Sequence, residues 1–177
     1  IFEVMNLNLT CYEANRDIVS LCTSKNFCHR HIPLMCSPRK MAPLYIPESQ
    51  YHPETNLIAI VCSEQVKNGW KSCVCLVDPS KSGDDGVVAS YDFDINKGEA
   101  GFSVCGLGTY SSAGHKATRT PLVIVGTSED MNMITGRGKD YSLQAFRPRF
   151  NNETGGWSLQ LLRKVQIEEF PRTLSEF

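Results

Sequence analysis

The sequence lacks any apolar run near the roughly 18 residues that a membrane-spanning helix requires. It also lacks an excess of either charge, since 18 basic and 19 acidic residues give a formal net charge of -1 and a pI of about 6.5. Proteins that hold nucleic acids or anionic membranes by charge rely on an excess of basic residues. We therefore expect neither a nucleic-acid partner nor a membrane partner.

The linear motifs of several enzyme classes are missing as well. No G-x-S-x-G or H-E-x-x-H occurs. Residues 136–140 resemble a phosphate loop only at the Gly-Lys pair, because Met133 stands where that loop needs its first glycine. Gly106 and Gly108 lack the third glycine of a dinucleotide loop. We predict no catalytic residues, no cofactor and no enzymatic activity.

Cysteine, in contrast, is plentiful. Eight of the 177 residues are cysteine, and seven of these lie at or before Cys75. An even number of cysteines is typical of disulfide bonding in exported proteins, because the cytosol keeps thiols reduced. We predict that the protein is secreted, that a signal peptide or pro-segment preceded Ile1, and that all eight cysteines are half-cystines. They are Cys11, Cys22, Cys28, Cys36, Cys62, Cys73, Cys75 and Cys105.

Two acceptor triplets for N-linked glycans agree with export. They begin at Asn8 and Asn152. Such triplets also arise by chance, so they add little to the cysteine argument.

The N-terminal residues predict one strand and one short helix. Apolar residues alternate over residues 5–11, which is typical of a half-buried strand. Ile18, Leu21 and Cys22 recur at helical spacing, so we predict a helix over residues 14–23. Five prolines between residues 26 and 53 indicate an extended, irregular stretch after it.

Strands dominate the rest of the sequence. The pair Asn68-Gly69 favours a tight hairpin between two strands. Residues 151–156 supply the turn of a second hairpin near the C-terminus. The predicted strands are 57–66, 70–78, 87–95, 101–110, 121–127, 141–150 and 157–167.

The polar, glycine-rich run after residue 79 predicts a domain boundary. We expect a disulfide-rich N-terminal lobe at 1–79, a linker at 80–86 and a β-sandwich or barrel lobe at 87–177. The fold class is therefore mostly β, with one short N-terminal helix.

Cysteine and histidine lie close together near residue 30. Thiolate and imidazole are the ligands that zinc prefers. The gaps that separate Cys22, Cys28 and Cys36 are longer than the short spacings of structural zinc sites, and His29 and His31 fall between them. We predict half-cystines around a polar loop rather than a metal site.

Histidine also supports an alternative function, a secreted ribonuclease-like hydrolase. Imidazole titrates near neutral pH and can act as general acid or base. The candidates are His29, His31, His52 and His115. All four lie in predicted loops, where a solvated histidine is the ordinary finding.

Aromatic residues support a second alternative, a glycan-binding module. Tryptophan and tyrosine can stack on sugars, although aromatic residues on strands more often pack in a core. The candidates are Trp70, Trp157, Tyr51, Tyr91, Tyr110 and Tyr141.

Two loops are predicted to contact a partner, and one strand pair is predicted to carry charge. The loops are residues 111–120 and 128–140, because binding residues concentrate in loops on a rigid scaffold. Their candidate contact residues are His115, Lys116, Arg137 and Lys139. If strands 141–150 and 157–167 pair, they form a modest basic face, with a solvated face as its plainer interpretation. Its residues would be Arg137, Lys139, Arg147, Arg149, Arg163 and Lys164.

The layout of a cysteine-rich N-terminal half with one helix, followed by a β-rich half, resembles the dual-domain effectors of Fusarium oxysporum f. sp. lycopersici. Those belong to the secreted-in-xylem proteins of plant-pathogenic fungi. The resemblance implies export into plant tissue, entry into host cells or the apoplast, a host protein as partner, and recognition by a plant immune receptor. The chain departs from the six-cysteine N-terminal pattern by having seven, and we expect Cys105 to bridge back across the boundary. The resulting prediction is a monomeric, secreted, non-enzymatic effector that binds a host macromolecule.

Overall fold

The computed structural model describes residues 31–67, 69–107, 121–132, 135 and 137–174 in full, and the backbone alone of residues 2–4, 7–11, 18–23 and 28–30. Twelve strands lie within these residues. They are β1 (Phe2–Val4), β2 (Leu7–Cys11), β3 (Ile18–Thr23), β4 (Cys28–Pro33), β5 (Pro38–Ile46), β6 (Thr55–Val66), β7 (Gly69–Val77), β8 (Val87–Asp92), β9 (Glu99–Leu107), β10 (Leu122–Glu129), β11 (Tyr141–Asn151) and β12 (Gly156–Ile167).

The strands form three antiparallel sheets of four, each built from strands that are consecutive in the chain. Sheet I has the order β1-β2-β3-β4, sheet II the order β5-β6-β7-β8, and sheet III the order β12-β11-β10-β9. The mostly-β prediction is confirmed. Both predicted hairpins are also present, because β6 pairs with β7 and β11 pairs with β12.

The predicted helix at 14–23 is wrong. Ile18–Thr23 is strand β3, which pairs antiparallel with Cys28–Pro33; residues 14–17 lie outside the described part of the chain. Ile18 and Val19 are β-branched and fit a pleated strand better than a helix. Over so few residues, apolar spacing does not separate the two structures.

Sheet II lies in the middle of the packing and is buried on both faces. Its longest strand, β6, is buried continuously from Leu57 to Ser63. Side chains alternate between the faces of a strand, so such a run supplies two cores at once. The first core joins Val61 and Val74 of sheet II to Val125 and Phe146 of sheet III.

The second core covers the opposite face of sheet II. There Ile60, Cys62 and Cys75 pack against Ile32 of β4 and Leu34 of the segment that follows it. The segment between sheets I and II therefore contributes to the packing on sheet II. The described residues contain no helix that is long and apolar enough to cross a membrane.

Predicted disulfides are not found among the described residues. Cys36, Cys62, Cys73 and Cys75 are buried thiols in the second core. A free cysteine packs as a small apolar side chain, which explains their place there. The side chains of Cys11, Cys22 and Cys28 lie outside the described residues, and Cys105 is buried in β9.

The predicted linker at 80–86 connects two neighbouring strands of one sheet. On either side of it, β7 and β8 pair with Val77 opposite Val87. The first core likewise contains residues from both sides of the segment. Sheets II and III therefore face each other as the two layers of a sandwich. Sheet II comes largely from the predicted N-terminal lobe, and sheet III comes from the predicted C-terminal lobe.

Candidate binding cleft

An open cleft of about 500 Å³ lies where the β7–β8 connection meets the β11–β12 hairpin. The connection contains a short 3-10 turn at Gly83–Gly86, and Gly83 has a φ of 64°. Residues 152–155 form the turn of the hairpin, and Gly155 has a φ of 66°. Glycine adopts these left-handed angles at no steric cost, so both turns suit their positions. Its lining includes Lys81, Ser82, Asp84, Asp85, Val88 and Trp157.

Hydrogen bonds near its base hold the β7–β8 connection in place. The carboxylate of Asp78 accepts from the backbone N–H of Ser80 at 2.8 Å and from its hydroxyl at 2.6 Å. The N–H of Asp78 donates to the carbonyl oxygen of Gly86 at 2.9 Å, which closes the loop. These bonds fix both ends of the segment that carries Lys81, Asp84 and Asp85, which we call the polar wall of the cleft.

Three half-buried aromatic rings stand beside this polar wall. Phe150 and Trp157 are directly opposite each other in the β11–β12 ladder, with ring centroids 5.1 Å apart. The ring of His52 lies 5.0 Å from Trp157 and 5.7 Å from Phe150. Tyr51, the neighbour of His52 in the chain, is 59% exposed. We call Trp157, Phe150 and His52 the aromatic cluster.

The cleft thus offers an aromatic surface and charges of both signs. Lys81, Asp84 and Asp85 are exposed, while Trp157 and Val88 are half-buried and contact the first core. An indole ring next to carboxylates and an ammonium group can bind a ligand that has both polar and apolar parts.

Of the predicted partner-contact residues, Arg137 and Lys139 lie in the segment that follows β10. The carbonyl oxygen of Arg137 accepts from the N–H of Asn132 at 2.8 Å. The ammonium of Lys139 lies 2.6 Å from the carboxylate of Asp130, and this hydrogen bond raises the pKa of Lys139. His115 and Lys116 lie outside the described residues, so the structure does not test whether the two loops meet.

His29 and His31 both lie in strand β4 rather than in the predicted loop, and His52 lies elsewhere. His31 is in β4, opposite Ser20 of β3. His52 belongs to the aromatic cluster, and its Nδ1 lies 3.0 Å from the carbonyl oxygen of Pro53. Only the backbone of His29 is described. Within the described residues, no group of three or more histidine, cysteine or acidic side chains is arranged to hold a metal ion.

The predicted aromatic platform is divided between core and surface. Trp70 is 2% exposed, and its Nε1–H donates to the carbonyl oxygen of Met131 at 3.1 Å. Tyr91 packs against Phe146 of the first core with centroids 4.9 Å apart. Tyr141 packs against Phe170, and Tyr110 lies outside the described residues. Of the predicted aromatic residues, Trp157 lines the cleft and Tyr51 is exposed.

The pairing on which the predicted basic face depends is confirmed, but its charges lie on two faces. Arg163 is opposite Ala145, whereas Lys164 is opposite Gln144. Consecutive side chains of a strand point to opposite faces. Lys164 points inward and forms an ion pair with Glu99 at 2.6 Å.

The residues of the polar wall were not predicted as binding residues, because residues 80–86 were interpreted as a linker between two lobes. The sequence signal that could have found them is two glycine-containing turns, each next to a long strand. Of the predicted glycan acceptors, Asn152 is exposed in the β11–β12 turn, and only the backbone of Asn8 is described.

No protein-family model matches the chain, and no curated protein matches its sequence.

Proposed function

We propose that the protein is a non-catalytic binding module, built from stacked four-stranded sheets in the manner of β-propeller blades, that binds a partner macromolecule at the cleft. Propeller blades are four-stranded antiparallel sheets packed against one another, and propellers commonly act as binding platforms. Three consecutive sheets of this kind, with the middle one buried on both faces, support the architectural part of the proposal.

The segments that follow each sheet support a repeated unit. Leu34 and Cys36, between β4 and β5, pack in the second core. Phe93, between β8 and β9, packs in the first core. Phe170, after β12, packs against Phe102 of sheet III with ring centroids 5.3 Å apart. In all three places, the segment that follows a sheet contributes an apolar residue that packs on a sheet face. Repeats of one supersecondary unit are expected to share such a feature.

The half-buried indole of Trp157, which lines the cleft, is the observation that carries the binding part of the proposal. Tryptophan contributes strongly to binding energy at protein interfaces, because it buries a large area and retains a polar N–H. Here its ring lines the same open cleft as Asp84 and Asp85. A polypeptide segment with a basic and an apolar side chain matches this chemistry.

The proposal is tested by capture of partners from candidate host extracts with the wild-type protein and with Trp157→Ala. We expect the variant to lose captured partners, with an affinity at least about tenfold lower, which corresponds to roughly 1.4 kcal/mol. Ile95→Ala is the matched control, because Ile95 is 55% exposed and does not line the cleft. If Trp157→Ala captures the same partners as Ile95→Ala, the cleft is not the interface.

We also retain the narrower proposal of a secreted effector that binds a host protein and is recognised by a plant immune receptor. Predicted disulfide bonding was the main support for this proposal. Cys36, Cys62, Cys73 and Cys75 are thiols that form no disulfide in the structure, so they do not support it. Its remaining support is the concentration of cysteine in the N-terminal part of a mostly β chain, because the helix of the expected layout is absent from the described residues. Mass spectrometry of the protein isolated without reductant tests it, because secretion predicts paired cysteines.

Glycan binding is a second candidate, favoured by the same ring. Sugars stack on half-exposed indoles and donate hydroxyl hydrogen bonds to carboxylates such as those of Asp84 and Asp85. Screening of the protein on an immobilised glycan panel, with Trp157→Ala beside it, distinguishes this candidate. Binding that is lost in the variant favours a glycan over a polypeptide.

A further inference from the structure

Four cysteines converge on one face of sheet II, in the second core. Cys62 of β6 is directly opposite Cys73 of β7, and Cys75 follows two positions along the same strand. Cys36 belongs to the segment between β4 and β5, and its Sγ lies 3.8 Å from the Sγ of Cys73. A segment between two sheets therefore places a thiol beside a thiol of the central sheet.

Hydrogen bonding makes these thiols chemically unequal. Bonds with Cys62, and then with Cys73, lower the pKa of Cys36. The contact with Cys36 raises the pKa of both Cys62 and Cys73. The positive charge of Lys71 also lowers the pKa of Cys36, by a smaller amount. The Lys71 ammonium donates to the carbonyl oxygen of Met35 at 3.1 Å. These contacts favour ionisation of Cys36 over Cys62 and Cys73, and thiolates are the nucleophilic form.

We propose that Cys36 and Cys73 are an oxidisable pair that forms a reversible disulfide in the presence of a hydroperoxide. In the first step, the Cys36 sulfur attacks the peroxide, the O–O bond breaks, and Cys36 becomes a sulfenic acid while an alcohol or water leaves. In the second step, Cys73 loses its proton and attacks that sulfur, the S–O bond breaks, and water leaves. Two thiols are oxidised for each peroxide reduced.

The geometry brings Cys73 within reach of Cys36, whereas Cys62 and Cys75 are poor disulfide partners for Cys73. A disulfide needs the sulfurs at about 2.05 Å, so a gap of 3.8 Å closes through side-chain rotation and a small shift of the segment. Cys62 and Cys73 are directly opposite in a ladder, where Cβ atoms lie about 4.5–5.5 Å apart, beyond most disulfides. The thiol of Cys75 is directed instead to the carbonyl oxygen of Ile60, at 3.6 Å.

Access for a small oxidant comes from the segment that carries Cys36. Its neighbour Met35 is 55% exposed, although Cys36 itself is buried. One backbone bond, from the N–H of Ser63 to the carbonyl oxygen of Ser37 at 2.8 Å, holds the segment's far end. None of the four cysteines lines the cleft, so this inference is independent of the proposed function.

The test treats the folded full-length chain with hydrogen peroxide, blocks remaining thiols with iodoacetamide, and maps the peptides by mass spectrometry without reduction. We expect a Cys36–Cys73 crosslinked peptide whose mass is about 2 Da below the sum of the two reduced peptides, and its disappearance after dithiothreitol. Cys36→Ser and Cys73→Ser should each abolish this crosslink, whereas the matched control Cys75→Ser should keep it.

Several results would overturn the proposal. They are a crosslink from Cys36 to Cys62 or Cys75, sulfinic acid on Cys36 without any crosslink, or full alkylation of Cys36 and Cys73 after peroxide. The wild-type peptide map alone decides between these results, so the test holds even if a serine variant fails to fold.

Discussion

The hydroxyl of Ser63 in β6 donates a hydrogen bond of 2.6 Å to the carbonyl oxygen of Gly101 in β9, and so joins sheet II to sheet III. The N–H of Gly101 donates in return to the hydroxyl oxygen of Ser72 in β7, at 3.0 Å. Both serines are buried. Apolar contacts in the first core are not directional, so this reciprocal pair fixes the position of one sheet against the other.

Replacing Ser63 with alanine should destabilise the protein by about 1–3 kcal/mol, because the buried carbonyl of Gly101 loses its cross-sheet donor. The change in free energy of unfolding is measured by urea denaturation. Ser90→Ala is the matched control, since Ser90 is exposed in β8 and should shift stability by about 0.5 kcal/mol or less. Equal effects of the two substitutions would contradict the role assigned to Ser63.

A second prediction concerns the closest approach of the two sheets. A Cβ atom added to Gly106 of β9 would collide with the carbonyl oxygen of Pro43 in β5, which is backbone and cannot rotate away. Gly106→Ala should therefore push the sheets apart and cost about 1–3 kcal/mol, as overpacking does elsewhere.

Gly156→Ala is the control for that substitution. Its added Cβ would meet only Thr154, at an ordinary contact of 3.5 Å. The midpoint of thermal unfolding should fall for Gly106→Ala and stay nearly unchanged for Gly156→Ala. An unchanged midpoint for both variants would show that the two sheets can move apart at Gly106 without a loss of stability.

A third prediction concerns the anchor of the segment after β10. Trp70 donates its indole N–H to the carbonyl of Met131, which is itself buried. Trp70→Phe keeps an apolar ring but leaves that carbonyl without its donor. Hydrogen exchange should then become faster in residues 130–132 than in β11. Equal protection in both would show that the indole bond does not hold the segment.

The contrast between correct and wrong predictions has a physical cause. Strands after residue 55 follow the sequence closely, because turn chemistry such as Asn68-Gly69 and long β-branched runs act locally. The helix at 14–23 failed because a strand partner, Cys28–Pro33, outweighed short-range spacing. The continuously buried run Leu57–Ser63 indicates a central sheet that is covered on both faces. The two-lobe interpretation did not predict such a sheet.

The cleft could not be predicted in the same way. Its polar wall and Trp157 are about seventy residues apart in sequence, and they meet because sheet II packs on sheet III. Sequence position does not distinguish the buried Trp70 from Trp157 either, because each follows a turn at the start of a strand. Burial separates them, and burial depends on which sheet covers each strand.

The last prediction concerns Glu99, a carboxylate that is 5% exposed. Its Oε1 accepts from Thr127 at 2.9 Å, from Gln144 at 2.7 Å and from Lys164 at 2.6 Å. Lys164 is one-third exposed and also lies 3.5 Å from Glu129. Burial lowers the pKa of Lys164, but the hydrogen bond and charge of Glu99 outweigh it, so that the pKa is raised.

A raised pKa means that the folded protein holds this proton more tightly than the unfolded chain does. The stabilisation from the ion pair is therefore complete below the ordinary lysine pKa of about 10.4, and it is lost as the pH rises through the folded value. The difference in unfolding free energy between wild type and Lys164→Met should be constant from neutral pH to about pH 9 and should shrink above about pH 10.4. Urea denaturation over a pH series measures it, and the other lysines cancel because both proteins contain them. Lys164→Arg is the matched control, since its charge persists and its advantage over Lys164→Met should survive at high pH. If the gap between wild type and Lys164→Met is the same at every pH, Lys164 stabilises the sheet through its aliphatic stem, and the charge on Glu99 is balanced by Thr127 and Gln144 alone.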